Sequence, residues 1–171
     1  MRKQLYLDLQ TSLERITKKE GNKNVAIFQH FDLWNQNVDF LEQDTPFARP
    51  AIFVEFMPIQ WKTIGAKVQE AALVIKLHIV TDWYEGTAKY NPSQSTSLDY
   101  LDLPDKVIAA IQNITVNGSG SLTRTQSVIN HNHSKYLDSI EEYTAYIKDS
   151  SAAVELTPIA TKPTIKIVTN A

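Results

Sequence analysis

The two strongest strand signals in the chain are Ala51–Phe56, which is apolar except for Glu55, and Ala71–Thr81, in which polar residues enter on alternate positions, and we predict both to be central strands. Alternate residues of a strand point to opposite faces. One face of the second segment is apolar throughout: Leu73, Ile75, Leu77 and Ile79. The other face is mixed: Val74, Lys76, His78 and Val80. This difference indicates a sheet that helices cover on one side.

Two further segments have the apolar spacing of amphipathic helices. The first runs from Lys3 to Glu20, and Gly21-Asn22 is typical of a helix end. Its apolar face consists of Leu5, Leu9, Leu13 and Ile16. The second covers residues 102–114, where Asp102 can cap the helix and Pro104 suits its first turn. Its predicted buried stripe is Val107, Ile108, Ile111 and Ile114.

The remaining pattern predicts three more strands, at Val25–Phe31, Leu122–Asn132 and Glu142–Asp149. Residues 32–50 are polar, which predicts a loop, or a strand edge followed by a loop. Residues 86–97 are rich in Ser, Thr, Asn, Gly and Pro, which predicts a loop, and 117–120 is a predicted turn. The linker between the two central strands can extend them into a long hairpin arm. We therefore expect one α+β domain over residues 1–150, with a mainly antiparallel four- to five-stranded sheet and two helices packed on one face.

The pattern changes after residue 150. Residues 151–171 combine β-branched residues with Thr, Lys and two prolines, without a turn that would pair the segment with itself. We interpret this segment as an extended C-terminal arm. A neighbouring subunit is the partner we expect for it, through an added strand.

Composition narrows the classes of function. The net charge is −2 without a basic block, which argues against specific nucleic-acid binding. The chain contains no cysteine, which excludes disulfides, thiol catalysis and thiolate-zinc sites. The first residues lack the apolar run of a signal peptide and no segment has the length of a membrane span, so we expect synthesis in the cytoplasm and no membrane partner.

Candidate chemical groups are sparse. His131 and His133 form His-x-His, which on a strand places both imidazoles on one face and can supply two metal ligands. A third ligand would come from His30, His78 or a carboxylate such as Asp138. The competing interpretation, a polar strand end or turn, is the one we favour, so we predict no metal site.

The other reactive residue types give no active-site pattern. Glu55 interrupts an apolar strand, which is typical of the outward face of a half-buried strand. No serine lies in Gly-x-Ser-x-Gly, and Gly118-Ser-Gly120 is too short for a phosphate loop. We predict a protein without catalytic residues or a cofactor.

The order of elements resembles that of the tail-terminator (tail-completion, or minor tail) proteins of long-tailed bacteriophages. An N-terminal helix, a short strand and a loop precede RPAIFVEF at 49–56, followed by ALVIKLHIVT at 72–81, a helix at 102–114 and two closing strands. The resemblance covers roughly residues 1–150 and includes a Pro-x-x-x-Val strand pattern. It implies a small α/β protein that forms a six-fold ring on the end of the tail tube.

The resemblance also implies a function and partners. The ring, a hexamer by that analogy, would cap the tube, stop the addition of tube subunits and dock the neck or head-completion proteins of the virion. Predicted interface residues are Trp34, Trp61, Lys62 and Gly65, together with Thr164, Ile165, Lys166, Ile167 and Val168 in the C-terminal arm.

Three alternatives stay open at this point. The chain resembles equally well another ring of the phage neck, such as a head-completion or connector protein. It can also be a metal-binding protein or hydrolase that uses His131 and His133. A cytoplasmic ligand-binding domain is a third possibility, although no pocket signature accompanies it.

Overall fold

The computed structural model describes residues 1–36, 47–65, 67–83, 85–116, 120–130 and 136–153. The helices in these ranges are α1 (Arg2–Leu13), α2 (Gln94–Ser97) and α3 (Leu103–Ile111), with a 3-10 turn at Asp99–Asp102. The strands are β1 (Thr17–Glu20), β2 (Lys23–Ala26), β3 (His30–Leu33), β4 (Ala51–Phe56), β5 (Lys62–Gly65), β6 (Val68–Asp82), β7 (Thr115–Val116), β8 (Gly120–Ser121), β9 (Thr123–Asn130) and β10 (Tyr136–Asp149). The C-terminal residues 154–171 lie outside the described part of the chain.

The prediction of a helix from Lys3 to Glu20 is wrong in its second half. The helix ends at Leu13, and residues 17–26 form the hairpin β1–β2. Beyond Ile16 the residues are polar up to Asn24, so a longer helix would have no apolar face to bury. Gly21 has φ +60°, which a two-residue hairpin turn requires.

The sheet is mostly antiparallel, as predicted. Its order is β3-β4-β6-β10-β9, and β5 pairs with the first part of β6, which gives six strands in the described residues. The pair β3–β4 is parallel, and the other pairs are antiparallel. Because β10 occupies one side of β6 along almost its full length, β4 and β5 share the other side. The strand β9 and the strand β5 therefore lie at opposite edges.

The main core lies between one face of this sheet and the helices α1 and α3. The predicted apolar face of β6 is buried there, and the predicted helix faces pack on it through Leu5, Leu9, Leu13, Val107 and Ile111. Ile108 and Ile114, also predicted in the stripe, are partly buried against the same core. No helix of the described residues covers the other face, here called the open face, but Ala51, Phe53 and Val80 form a second, smaller buried cluster on it, packed by Trp34, Phe47 and Tyr136.

Several predicted boundaries are wrong. The single strand Val25–Phe31 is two strands, β2 and β3, separated by residues 27–29. The strand β3 reaches Leu33, which agrees with the alternative of a strand edge at the start of residues 32–50, whereas α2 lies within the predicted loop 86–97. The last strand begins at Tyr136 rather than Glu142, and β9 ends the described range at Asn130. Asp102 stands before α3, but its carboxylate makes no hydrogen bond to the first-turn amides of that described helix.

Candidate functional site

A buried histidine lies between two carboxylates on the open face of the sheet. Nδ1 of His78 is 3.2 Å from Oδ2 of Asp138, and Nε2 is 3.3 Å from Oε2 of Glu55. The side chains of His78 and Asp138 are 5% and 1% exposed, and that of Glu55 is 32% exposed. Each ring nitrogen is therefore within hydrogen-bond distance of one carboxylate oxygen, and the donor and acceptor roles depend on the tautomer of the imidazole. This group, the His78 cluster, links the strands β4, β6 and β10.

Trp34 covers the His78 cluster. Its ring lies 3.7 Å from the imidazole, centroid to centroid, with an angle of 5° between the planes, and it contacts Phe53 edge-on. The backbone N–H of Trp34 donates to the carbonyl of Val54 at 2.9 Å. This bond positions the backbone that carries the indole, just beyond the end of β3. Both nitrogens of His78 are thus engaged and its ring is shielded, an arrangement that favours a structural role.

The strand register explains why these residues meet. His78 stands opposite Phe53 on β4 and Ile140 on β10, while Asp138 stands opposite Val80. Asp138 is thus a diagonal neighbour of His78 on the same face. The two residues are 60 positions apart in sequence. The mixed face of β6 indicated a polar group, but the sequence pattern did not reveal its partners.

A second polar group lies where β9, β10 and α3 meet. The Oγ of Ser127 donates to Oε2 of Glu141 at 2.6 Å, and Nη1 of Arg124 is 3.4 Å from the same oxygen and 3.2 Å from Oδ1 of Asp105. The hydroxyl of buried Tyr143 has no hydrogen-bond partner among the described residues. Burial, and then the carboxylate of Glu141, raise the pKa of Tyr143. Through its contacts with Glu141 and Asp105, Arg124 joins the edge strand β9 to the helix α3.

The predicted interface residues Trp61, Lys62 and Gly65 come together in one exposed element, residues 61–65, which we name the β5 arm. The side chain of Trp61 is 37% exposed and that of Ile64 is 44% exposed. The arm pairs with the start of β6, which agrees with the predicted hairpin extension. Trp34 lies apart from the arm, in the His78 cluster, and its interface role stays a prediction, while residues 164–168 lie outside the described residues.

At the opposite edge, β9 is exposed along almost its whole length. It has 8 residues, of which Asn130 alone is partly buried. Val128 and Ile129 are 43% and 39% exposed, and as neighbours in a strand they point to opposite faces. Tyr146, 68% exposed, lies on the open face of β10. The sequence prediction included none of these three as interface residues, because exposure of an edge strand depends on the sheet order.

The described residues do not form a metal centre. Within these ranges, no three His, Asp or Glu side chains are placed to hold a metal ion. In the His78 cluster the carboxylates contact opposite nitrogens of one ring, so their oxygens do not converge. His131 and His133 lie outside the described residues, and the metal hypothesis based on them stays a prediction.

A small open cleft separates the β1–β2 hairpin from the start of α3. Its volume is about 250 Å³, and its lining includes Lys18, Pro50, Tyr100 and Lys106. Ligand pockets commonly have volumes of about 300–1,000 Å³, so this cleft is at or below the lower limit. It gives the ligand-binding alternative little support.

Comparisons with known proteins leave the family open. No protein-family model matches this chain. The search of curated proteins also gives no match. Among the helices in the described ranges, none has the length and apolar character needed to cross a membrane.

Proposed function

We propose that this chain is a structural virion protein without enzymatic activity that forms a ring capping the tail tube of a bacteriophage. The observation that supports this best is the presence of two different exposed surfaces at opposite edges of one sheet. These are the β5 arm, with Trp61 and Ile64, and the edge strand β9, with Val128 and Ile129.

A ring of identical subunits joined head to tail needs such a pair of surfaces. Each subunit must contact one neighbour through one patch and the other neighbour through a different, complementary patch. Both edges present exposed apolar side chains, Trp61 and Ile64 in the arm and Val128 and Ile129 in β9. Large apolar or aromatic residues and arginine are enriched in protein interfaces.

The open face of the sheet offers a third surface for other proteins. Beyond the His78 cluster it carries Lys76 and Glu142, which stand opposite each other, and the exposed Tyr146. We assign the tail tube protein and a neck or head-completion protein as the partners of the ring. The protein would be made in the bacterial cytoplasm and reside in the virion tail or neck, as a hexamer by analogy with the resembling family.

The experiment is to measure the mass of the purified full-length protein by light scattering over a range of concentrations. We expect a closed assembly of about six copies, since head-to-tail contacts stop adding subunits when the ring closes. Ile64→Asp and Val128→Asp each place a charge in one of the two surfaces and should each prevent closure. Leu101→Asp, at an apolar side chain 46% exposed elsewhere, is the matched control.

Mixing the two variants tests the head-to-tail geometry. The intact β9 edge of the Ile64→Asp chain can meet the intact arm of the Val128→Asp chain, so the mixture should stop at a dimer. Normal ring formation by either variant, or a wild-type monomer at every concentration, contradicts the proposal. Electron microscopy of virions then separates a tail terminator from another neck ring by its position.

Metal analysis of the same protein tests the alternative that uses His131 and His133. A stoichiometric metal ion in a monomeric protein would favour that alternative over the ring.

A further inference from the structure

The edge strand β9 is the surface of this fold best suited to accept another strand. It is the last strand on its side of the sheet, and no other strand among the described residues pairs with its outer edge. Over its 8 residues, about half of the backbone N–H and C=O groups point outward, as in any antiparallel edge. The other edge strands, β3 and β5, have 4 residues each and offer fewer such groups.

The side chains of β9 also favour an added strand. Exposed edges are commonly protected by lysine, proline or a short length. The sequence TRTQSVIN contains neither lysine nor proline. A β-bulge is a further protection, and the one register shift against β10 lies at Thr125, so residues 126–130 form an uninterrupted edge. Val128 and Ile129 are exposed on opposite faces, so a strand beside β9 would cover apolar surface on both sides of the sheet.

The chain itself contains a suitable strand. Residues 164–168, Thr-Ile-Lys-Ile-Val, are rich in β-branched residues and free of glycine and proline. Pro163 precedes them, and proline is accepted just before or at the first position of a strand. Five residues is also close to the commonest strand length.

The spacer before this segment suits a neighbouring copy better than the same chain. Residues 154–163 contain Pro158 and Pro163 and span on the order of 30 Å when extended at about 3.1 Å per residue. A return to the chain's own β9 needs much less, because β9 is the direct neighbour of β10 and strands lie about 5 Å apart. A spacer of that reach corresponds to roughly one domain diameter.

We propose that residues 164–168 of one copy add as a strand to the outer edge of β9 in a second copy. The pairing would satisfy the outward backbone groups of β9 and place Ile165 and Ile167 on one face of the extended sheet. The inference deepens the proposed function, because it adds residues 164–168 to the contact that β9 makes between neighbouring copies, and it rests on that function only in requiring that copies meet.

The absence of native cysteine makes the pairing measurable by disulfide cross-linking in the full-length chain. Acceptor chains carry Val128→Cys or Ile129→Cys, which sample both faces of β9. Donor chains carry Ile165→Cys or Lys166→Cys, which sample both faces of the added strand. A disulfide forms only when the two Cβ atoms approach to about 3.5–4.5 Å, so a mixed dimer reports direct strand contact.

The matched control acceptor is Ile64→Cys, a β-branched residue of similar exposure at the opposite edge. We expect the yield through β9 to exceed that through Ile64 by about tenfold or more, since pairing holds the thiols at an effective concentration on the order of millimolar. In the donor, Ile167→Pro should abolish the cross-link by removing a strand N–H, whereas Ala160→Pro in the spacer should not.

Three results would overturn the inference: equal yields at β9 and Ile64, no cross-link at β9, or a disulfide only within a chain that carries both cysteines. The last result would place the segment on its own β9. Light scattering of the reduced samples measures ring formation independently of the cross-link, so that the two proposals are tested separately. If the protein forms a ring but gives no cross-link at β9, the ring proposal stands and the added strand is rejected. If a cross-linked dimer forms without a ring, the added strand stands and the ring proposal is rejected.

Discussion

Removal of the Asp138 carboxylate tests whether the His78 cluster stabilises the sheet. Asp138→Leu replaces the carboxylate with a larger apolar side chain and leaves Nδ1 of His78 without its partner at 3.2 Å. Breaking a buried ion pair costs about 3–5 kcal/mol, and leaving a neutral buried donor unpaired costs about 1–3 kcal/mol. The imidazole keeps Glu55 on its other nitrogen, so we expect the free energy of unfolding to fall by about 3 kcal/mol.

Urea unfolding measures this loss as a lower midpoint with an unchanged slope. In thermal unfolding, Tm should fall by about 6–12 °C, because 1 kcal/mol corresponds to about 2–4 °C in a chain of this size. Glu142→Leu is the matched control, since Glu142 lies on the same face of β10 and its side-chain hydrogen bond to Thr125 is exposed. We expect that change to stay within about 1 kcal/mol.

The double variant His78→Leu with Asp138→Leu removes both partners. Its loss of stability should be smaller than the sum of the losses in the two single variants. In each single variant one polar partner is left unpaired, whereas the double variant removes both partners. The reasoning is refuted if Asp138→Leu unfolds at the wild-type urea concentration, or if the two single losses simply add.

Three further substitutions follow from burial and close contacts. Tyr143→Phe removes a buried hydroxyl without a partner among the described residues, so we expect unchanged or higher stability, by up to about 1 kcal/mol. Burial raises the pKa of Tyr143, so wild-type stability should decline above about pH 10, where the unfolded chain loses the proton first, and the variant should decline less. Gly120→Ala places a Cβ 2.6 Å from the carbonyl oxygen of Tyr146 and should cost about 1–3 kcal/mol. Leu9→Ala opens a cavity between α1 and the sheet and should cost about 2–5 kcal/mol.

Urea unfolding near neutral pH measures all three, and a pH series adds the titration of Tyr143. Gly21→Ala is a control for Gly120→Ala, because its added Cβ meets no atom within 4 Å and only its positive φ opposes the change. A large loss in Tyr143→Phe would indicate that the hydroxyl is bonded after all, and a stable Gly120→Ala would show that β8 can move away from β10.

The sequence pattern predicts the centre of this fold better than its periphery. The two faces of β6 and the buried stripe of α3 follow directly from residue spacing, because burial selects apolar side chains at fixed periods. The β1–β2 hairpin was missed because its strands contain almost no buried residue, and its only local signal, Gly21-Asn22, also fits the end of a helix.

The candidate surfaces were predictable only in part. The β5 arm follows from the short linker between two strong strands, which favours a hairpin. The exposure of β9 and the contact between His78 and Asp138 depend on sheet order and register, which a local pattern does not contain. Trp34 illustrates this limit. Its neighbours in the sequence are polar, and they give no sign that its indole stacks on the buried imidazole of His78.

The long pairing of β6 with β10 has a consequence for the order in which the molecule folds. These strands come from distant parts of the chain, as the separation of 60 residues between His78 and Asp138 indicates, and such contacts form slowly because a large loop must close first. Among the strands of the described residues, β9 pairs with β10 only. We therefore expect the outer edge of β9 to be presented on a finished sheet only after β6 and β10 have paired. Newly made chains would expose this pairing edge late, when most of their apolar core is already buried and no longer available for aggregation.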